Sequence, residues 1–324
     1  MKQKNLQFLL LFLMGCVLTS CEKVVVEVDG PQGTNTTSKP TNKNVVVRVT
    51  GIDTGWNGSA SRSQVSIAEV CTRLQFAVFQ GNTRVKYGNQ QVGDGDFGTF
   101  ALQLDAGTYQ LLVLGHSGAT NVATTNPAKL QFTNPSASNG TGFTDTFYYY
   151  GDMVVSDDGA QVSISMKRAT SLFRLKTNDA MPSNAKEIQI TYTGGSGALD
   201  ATTGFGCVNS NQVVFMALDE ELVGQPLEFN LYTFLRQETG KLAFTVKVFD
   251  ANKTNIITKE FKDVPMKRNC ITQYSGNFFT DGDSETPELP GEPETPDTPQ
   301  PDVTVSGTIY VDPDWAEIFE YTYY

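Results

Sequence analysis

A single histidine, His116, is all the imidazole this 324-residue chain has. The sequence also lacks a Cys-x-x-Cys pair, a Cys/His spacing suited to a metal, a Gly-x-Ser-x-Gly nucleophile turn and a phosphate-binding loop. Catalysis needs convergent groups, and none converge here. The acidic runs Asp157-Asp158 and Asp219-Glu220-Glu221 sit in turn-like sequence and read as solvated loops. His116 reads as a surface or internally satisfied polar group. An enzyme is not expected, nor is a metal or cofactor. Long apolar runs are missing too. The only unbroken one, Phe8 to Leu13, is too short to span a bilayer as a helix. Helical periodicity is scarce, with residues 63–74 and 126–133 as short candidates.

What is present begins with an address. Lys2 and Lys4 precede the apolar run, and Leu18-Thr19-Ser20-Cys21 follows it as a small-residue cleavage site ending in Cys. This is a secretory signal peptide (1–20), and its ending resembles a bacterial lipobox, with Cys21 as the lipidated mature N-terminus. Cys16 leaves with the signal. Cys71, Cys207 and Cys270 remain, and an exported chain could join two of them, with the pair left open.

The formal charge of −11 has little to do with the body of the protein. Residues 281–302 hold eight acidic groups and no basic one, and Asp312, Asp314, Glu317 and Glu320 follow. Residues 21–280 come to −1, with no basic face for nucleic acid.

A polar tether covers 21–44. From Val45 onward the period is two almost everywhere, in short segments bounded by Gly, Asn or Pro. Val45, Val47 and Val49 alternate with Val46, Arg48 and Thr50; Leu74, Phe76 and Val78 fall on one side of the next segment, and Tyr109, Leu111 and Val113 alternate in another. The pattern predicts an all-β sandwich architecture. A seam near Lys167-Arg168, where one strand runs almost straight into the next, divides it into 45–166 and 167–280.

Residues 281–302 hold six prolines and read as an acidic, semi-rigid linker, up to roughly 70 Å long. The last segment, 303–324, is strand again. Val303, Val305, Ile309 and Val311 share a face of one arm. Asp312-Pro313-Asp314 is turn chemistry. Trp315, Phe319, Tyr321 and Tyr323 share a face of the second arm, with Glu317 between them. An isolated hairpin is marginal in water, so this one needs a sheet, on its own body or on another subunit.

The order of these pieces resembles the fimbrillin superfamily of Bacteroidales, the lipoprotein precursors and accessory subunits of type V pili (FimA/Mfa-type). The resemblance covers about residues 45–280. It rests on Arg-Ala-x-x-Leu-Phe-x-Leu from Arg168 to Leu175 and Arg-Asn-x-x-Thr-x-x-x-Gly-x-Phe from Arg268 to Phe278. It implies two transthyretin-like β-sandwich domains in tandem, export to the outer membrane, and assembly with other pilus subunits by strand addition. It also implies, in stem subunits, proteolytic removal of the first strand. Arg48 in "VVVRVTG" is the corresponding candidate, set against an ordinary solvent-facing Arg on a permanent first strand. Val303, Val305, Ile309 and Val311 are then candidate donor-strand residues. The competing expectation is a surface glycan-binding lipoprotein. Its candidates are Trp56, Tyr148, Tyr149 and Trp315, and consecutive aromatics in a strand should leave at least one of Tyr148 and Tyr149 exposed to host or bacterial surface ligands.

Overall fold

The computed structural model describes residues 44–53, 67–132, 142–280, 306–312 and 315–323. The signal peptide, Cys21, the tether up to residue 43, Trp56, the linker 281–302, Val303, Val305 and Pro313-Asp314 lie outside the described residues.

The chain is all-β. Before the seam come β1 (Asn44–Asp53), β2 (Arg73–Gln80), β3 (Thr83–Gln91), β4 (Thr99–Gln103), β5 (Gly107–His116), β6 (Leu130–Gln131), β7 (Thr146–Val155) and β8 (Ala160–Arg168). Seven of these form one sheet in the order β3-β2-β5-β7-β8-β1-β4. The β7–β8 link is only Phe147 opposite Arg168 and Tyr148 opposite Lys167, so the sheet bends there into two layers. Val45, Val47, Phe100, Leu102, Ile164 and Met166 from one layer and Leu74, Phe76, Leu111, Val113, Met153 and Val155 from the other form a single core. One helical turn, Ile67–Val70, stands where 63–74 was expected to be helical. Of the other candidate, 126–133, the described residues 126–132 are not helical. Asn126 closes a turn and Leu130 is a buried strand residue opposite Leu199. The Asn-Pro start and the pull of a neighbouring sheet override the local pattern.

After the single residue Ala169 come β9 (Thr170–Thr177), β10 (Glu187–Thr193), β11 (Ala198–Asp200), β12 (Phe205–Gly206), β13 (Gln212–Ala217), β14 (Glu228–Phe234), β15 (Thr239–Phe249), β16 (Asn255–Lys267), β17 (Cys270–Gly276), β18 (Ser306–Asp312) and β19 (Trp315–Tyr323). One sheet runs β13-β10-β15-β16 and the other β14-β9-β17-β19-β18. They share a second core, centred on Phe173, which stacks on Phe244 with ring centroids 4.0 Å apart. Stacking of this kind adds to plain area burial.

A third apolar cluster joins the two parts. Ala77, Phe79, Leu112, Leu114 and Tyr148, on the outer face of the β2-β5-β7 layer, meet Leu199, Ala201 and Phe234 from beyond the seam. The small sheet β12-β11-β6 crosses the same junction. Strands β2 and β5 are therefore covered on both faces, with six consecutive buried residues each. Their sequences, "LQFAVF" and "LLVLGH", accordingly carry apolar residues on both sides rather than a polar outer face.

Cys71, Cys207 and Cys270 are all free thiols. Burial pushes Cys71 up to about 12 and Cys270 up to about 11. His116 is 2% exposed at the end of β5. Its Nδ1 accepts from the Gly118 amide at 3.0 Å, so Nε2 carries the proton toward Gln75 Oε1, 3.3 Å away. The same Gln75 holds the Val122 backbone from both its amide ends. Burial, then the charge of Arg73, lowers His116 from 6.5 to about 4. Between those values the unfolded chain binds a proton that the folded chain refuses. The contribution of this site to stability is thus full above pH 6.5 and falls as pH drops toward 4, by on the order of 3 kcal/mol. As the only histidine, its imidazole NMR signal needs no assignment. It should report a neutral ring at pH 5.5 in the folded protein and a charged one after denaturation at the same pH; a folded-state midpoint near 6.5 would contradict this packing.

Candidate assembly site: the seam and the terminal strand

The two motifs that frame the second half of the chain meet in space. Arg168 is 6% exposed. Its Nε donates to both carboxylate oxygens of Asp145 at 3.0 Å, and its Nη1 donates to Asn269 Oδ1 at 2.9 Å. Asp145 also accepts from Thr170 Oγ1 at 2.8 Å. Burial raises the Asp145 carboxyl above its ordinary range, while Arg168 and Thr170 pull it down. Asn269 sits at φ 58°, in the left-handed region that turns the chain from β16 into β17, and its amide donates to the Thr170 carbonyl. The next motif residue, Thr272, donates to the Pro265 carbonyl at 2.7 Å. Phe278 is buried in the second core, and Asp179 accepts from the amides of Phe278, Phe279 and Thr280. That carboxylate clamps the chain where it leaves the body. The backbone donors hold Asp179 below the usual carboxylate range despite partial burial.

The terminal hairpin completes this arrangement on its own chain. β19 lies parallel to β17, in register from Cys270 opposite Glu317 to Gly276 opposite Tyr323, and β18 lies outside it. Trp315 stacks against the Arg168 guanidinium at 3.8 Å, with the Phe147 ring also near that guanidinium at 5.0 Å. Leu172, Ile271 and Ile318 pack around the indole. Trp315 therefore belongs to the outer cluster, whereas Tyr321 and Tyr323 pack on the second core, so the four aromatics of this arm do not share one face. Tyr321 lies 4.9 Å from the Tyr274 ring, and Tyr323 meets Phe261 edge-on and donates its hydroxyl to the Lys176 carbonyl. Lys267 pairs with Glu317 at 2.9 Å, and Gln273 donates to Glu320 at 2.6 Å. Gly276 matters by what it lacks: a Cβ there would run into the Tyr323 carbonyl and ring.

Ile309 and Val311 fall in β18, the outermost strand, with Ile309 opposite Phe319. The arm that pairs with the body is 315–323, whereas the candidate donors Val303, Val305, Ile309 and Val311 belong to the other arm. Arg48 is exposed in mid-β1, its Nη1 donating to Gln161 Oε1 at 2.8 Å. Both backbone edges of β1 are taken, by β4 on one side and β8 on the other. Neither Tyr148 nor Tyr149 is exposed. Tyr148 is 8% accessible in the junction cluster, with its hydroxyl 3.4 Å from Arg268 Nη1, and Tyr149 packs half-buried on the first core. They do point to opposite faces, but both faces of β7 are covered here. Among the described residues no cluster of His, Cys, Asp and Glu could hold a metal ion.

The family of fimbrillin-A associated anchor proteins Mfa1 and Mfa2 matches this chain over residues 26–321. The chain belongs to that family. The match takes in both cores, the seam and nearly all of the terminal hairpin. Against the curated proteins the sequence finds no match. Among solved structures it is similar to an adhesin candidate from Bacteroides ovatus (10% identity, TM-score 0.48, 67% of this chain and 76% of that one). It is also similar to the fimbrial anchor protein Mfa2 from Porphyromonas gingivalis (14%, 0.37, 68% and 82%) and to a fimbrial assembly protein from Parabacteroides distasonis (12%, 0.37, 73% and 91%). Likenesses this weak carry no argument by themselves.

The missed residues, Asp145, Asn269, Gly276 and Glu317, had faint signals. Three sit in or beside the quoted motifs or the tail, but their partners are distant in sequence.

Removing Arg168 while leaving Asp145 buried strands a carboxylate. Arg168→Met should cost about 3–5 kcal/mol in urea unfolding, and adding Asp145→Asn should recover part of it. Tyr323→Ala should detach the terminal strand without unfolding the body. Hydrogen exchange at the β17 amides bonded to β19 should then accelerate at least about 100-fold, with β14 and β15 unchanged.

Proposed function

We propose that this chain is a lipid-anchored, fimbria-associated subunit of the outer membrane. It keeps its first strand, as an anchor rather than a processed stem subunit, and joins neighbouring pilus subunits by strand addition. Membership of the anchor family supports the fimbrial role. The observation that carries the finer reading is the placement of β1. It is an inner strand with ladders on both sides, and Val45 and Val47 are fully buried in the first core. A protease needs an extended segment with free backbone edges, and the peptide after Arg48 has neither edge free. Cutting there would require pulling β1 out of the sheet, at the cost of both ladders and of part of the core. An uncut chain keeps its covalent path from β1 back to Cys21 and hence to the membrane.

Mass spectrometry of the mature surface protein should find diacyl- or triacyl-modified Cys21 as the first residue, and Cys21→Ser should release the protein from the membrane fraction. A mature N-terminus at Val49 would replace the anchor reading with that of a processed subunit.

A further inference from the structure

Strand pairing in this chain is antiparallel with few exceptions, and the exceptions follow one path through it. Among the described residues three ladders are parallel: β1 with β8, β9 with β17, and β17 with β19. β8 ends at Arg168 and β9 begins at Thr170, so a single residue carries the first of these ladders into the second. The path starts where Val45 of β1 lies opposite Ala160 of β8. It ends where Gly276 of β17 lies opposite Thr177 of β9 and Tyr323 of β19.

Parallel neighbours respond to tension in a particular way. If β1 is drawn back by its N-terminus and β8 forward by its C-terminus, the strands slide along each other. The evenly spaced bonds between them are then loaded together. The same holds for β9 drawn by its start and β17 drawn by its end. Strands pulled apart from a shared end separate instead one pair at a time. Nor can β1 yield in small steps. A slip of one residue, about 3.3 Å, would turn every side chain to the wrong face. The fully buried Val45 and Val47 would trade places with residues such as the exposed Arg48. β4 adds a second ladder along the other edge of β1. Side chains brace the first ladder: Arg48 Nη1 donates to Gln161 Oε1 at 2.8 Å, and Thr50 Oγ1 donates to the Ile164 carbonyl at 3.0 Å. Where the path crosses the seam, Arg168 ties β8 to Asp145 and Asn269.

We propose that these ladders form a tension-bearing clamp, a mechanical function in which load applied beyond the seam reaches the first strand through bonds stressed in shear. This rests on the reading of β1 as an uncut strand leading back to the membrane, and it names the elements that carry the load. Forced unfolding is governed by the rate of crossing a barrier rather than by equilibrium stability. One fold can therefore resist strongly along one direction and weakly along another. Here the strong direction runs from the start of β1 to the end of β17, the direction in which a tethered body is drawn away from its surface.

Single-molecule pulling along two directions tests this. The chain from residue 21 onward carries Cys21→Ser and Cys207→Ser, so that its remaining thiols, Cys71 and Cys270, are buried. One handle sits at the N-terminus. The second is attached either at Asn277→Cys, just past β17, or at Asp158→Cys, in the turn that leads into β8. Both positions are exposed, and the neutral His116 signal verifies that each chain is folded. The first pair of handles loads the β1–β8 and β9–β17 ladders in shear. The second peels β1 from β8, beginning at Val45 and Ala160. At equal pulling speed, the first rupture should need roughly twice the force or more in the first geometry than in the second. The chains differ only at exposed positions, so equilibrium stability alone predicts equal forces. Equal forces, or a lower one in the first geometry, would refute the clamp. No lipid takes part in this measurement, so that result would leave the mature N-terminus, read by mass spectrometry, as a separate question.

Discussion

The guanidinium of Arg168 is the point on which both halves of the chain and its C-terminus converge. It ends β8, pairs with Asp145 just before β7, reaches Asn269 at the turn into β17 and lies under the indole of Trp315. A buried ion pair is a weak source of net stability, since desolvation opposes the attraction. Its strength is in geometry. A planar fork with fixed donor directions accepts one arrangement of carboxylate, amide and ring, and so sets the positions of β7, β9, β17 and β19 relative to one another. An apolar side chain at 168 could pack, but it would not select among registers.

That constraint passes to the terminal strand. β17 would be a sheet edge with unpaired backbone groups if β19 were absent, and such edges pair with whatever strand is available. Covering it with a segment of the same chain blunts that hazard. The β17 edge and the hairpin form a matched pair, joined by the parallel ladder and by the Arg168–Trp315, Lys267–Glu317 and Gln273–Glu320 contacts. The first strand is the opposite case. β1 is enclosed by β4 and β8 and anchored by its valines, so it cannot be exchanged without opening a core.

Much of this was legible in the residues. Alternation marked the strands, and the tail stood out as strand written after a proline-rich segment. The less legible parts have physical causes. Tyr148 and Tyr149 do face opposite ways, as strand geometry requires, but exposure depends on what covers each face, and the junction cluster supplies a second layer that no local pattern encodes. The candidate donors Val303, Val305, Ile309 and Val311 alternate along the first arm, whereas the arm paired with β17 is the second. The arm that docks has the less regular pattern because its residues serve two different environments, Trp315 the Arg168 face and Tyr323 the second core.

By itself, the sequence determined the all-β character, the turns and the presence of a terminal hairpin, because period, glycine and proline placement are local properties of the chain. The partners were decided only by the tertiary structure. That Gly276 is a slot for Tyr323, that His116 is a neutral strut for Gln75 and that Arg168 receives Trp315 all depend on groups tens to more than a hundred residues apart. Contacts of that range arise when layers fold over one another, and burial then assigns each polar group a single partner it cannot leave without cost.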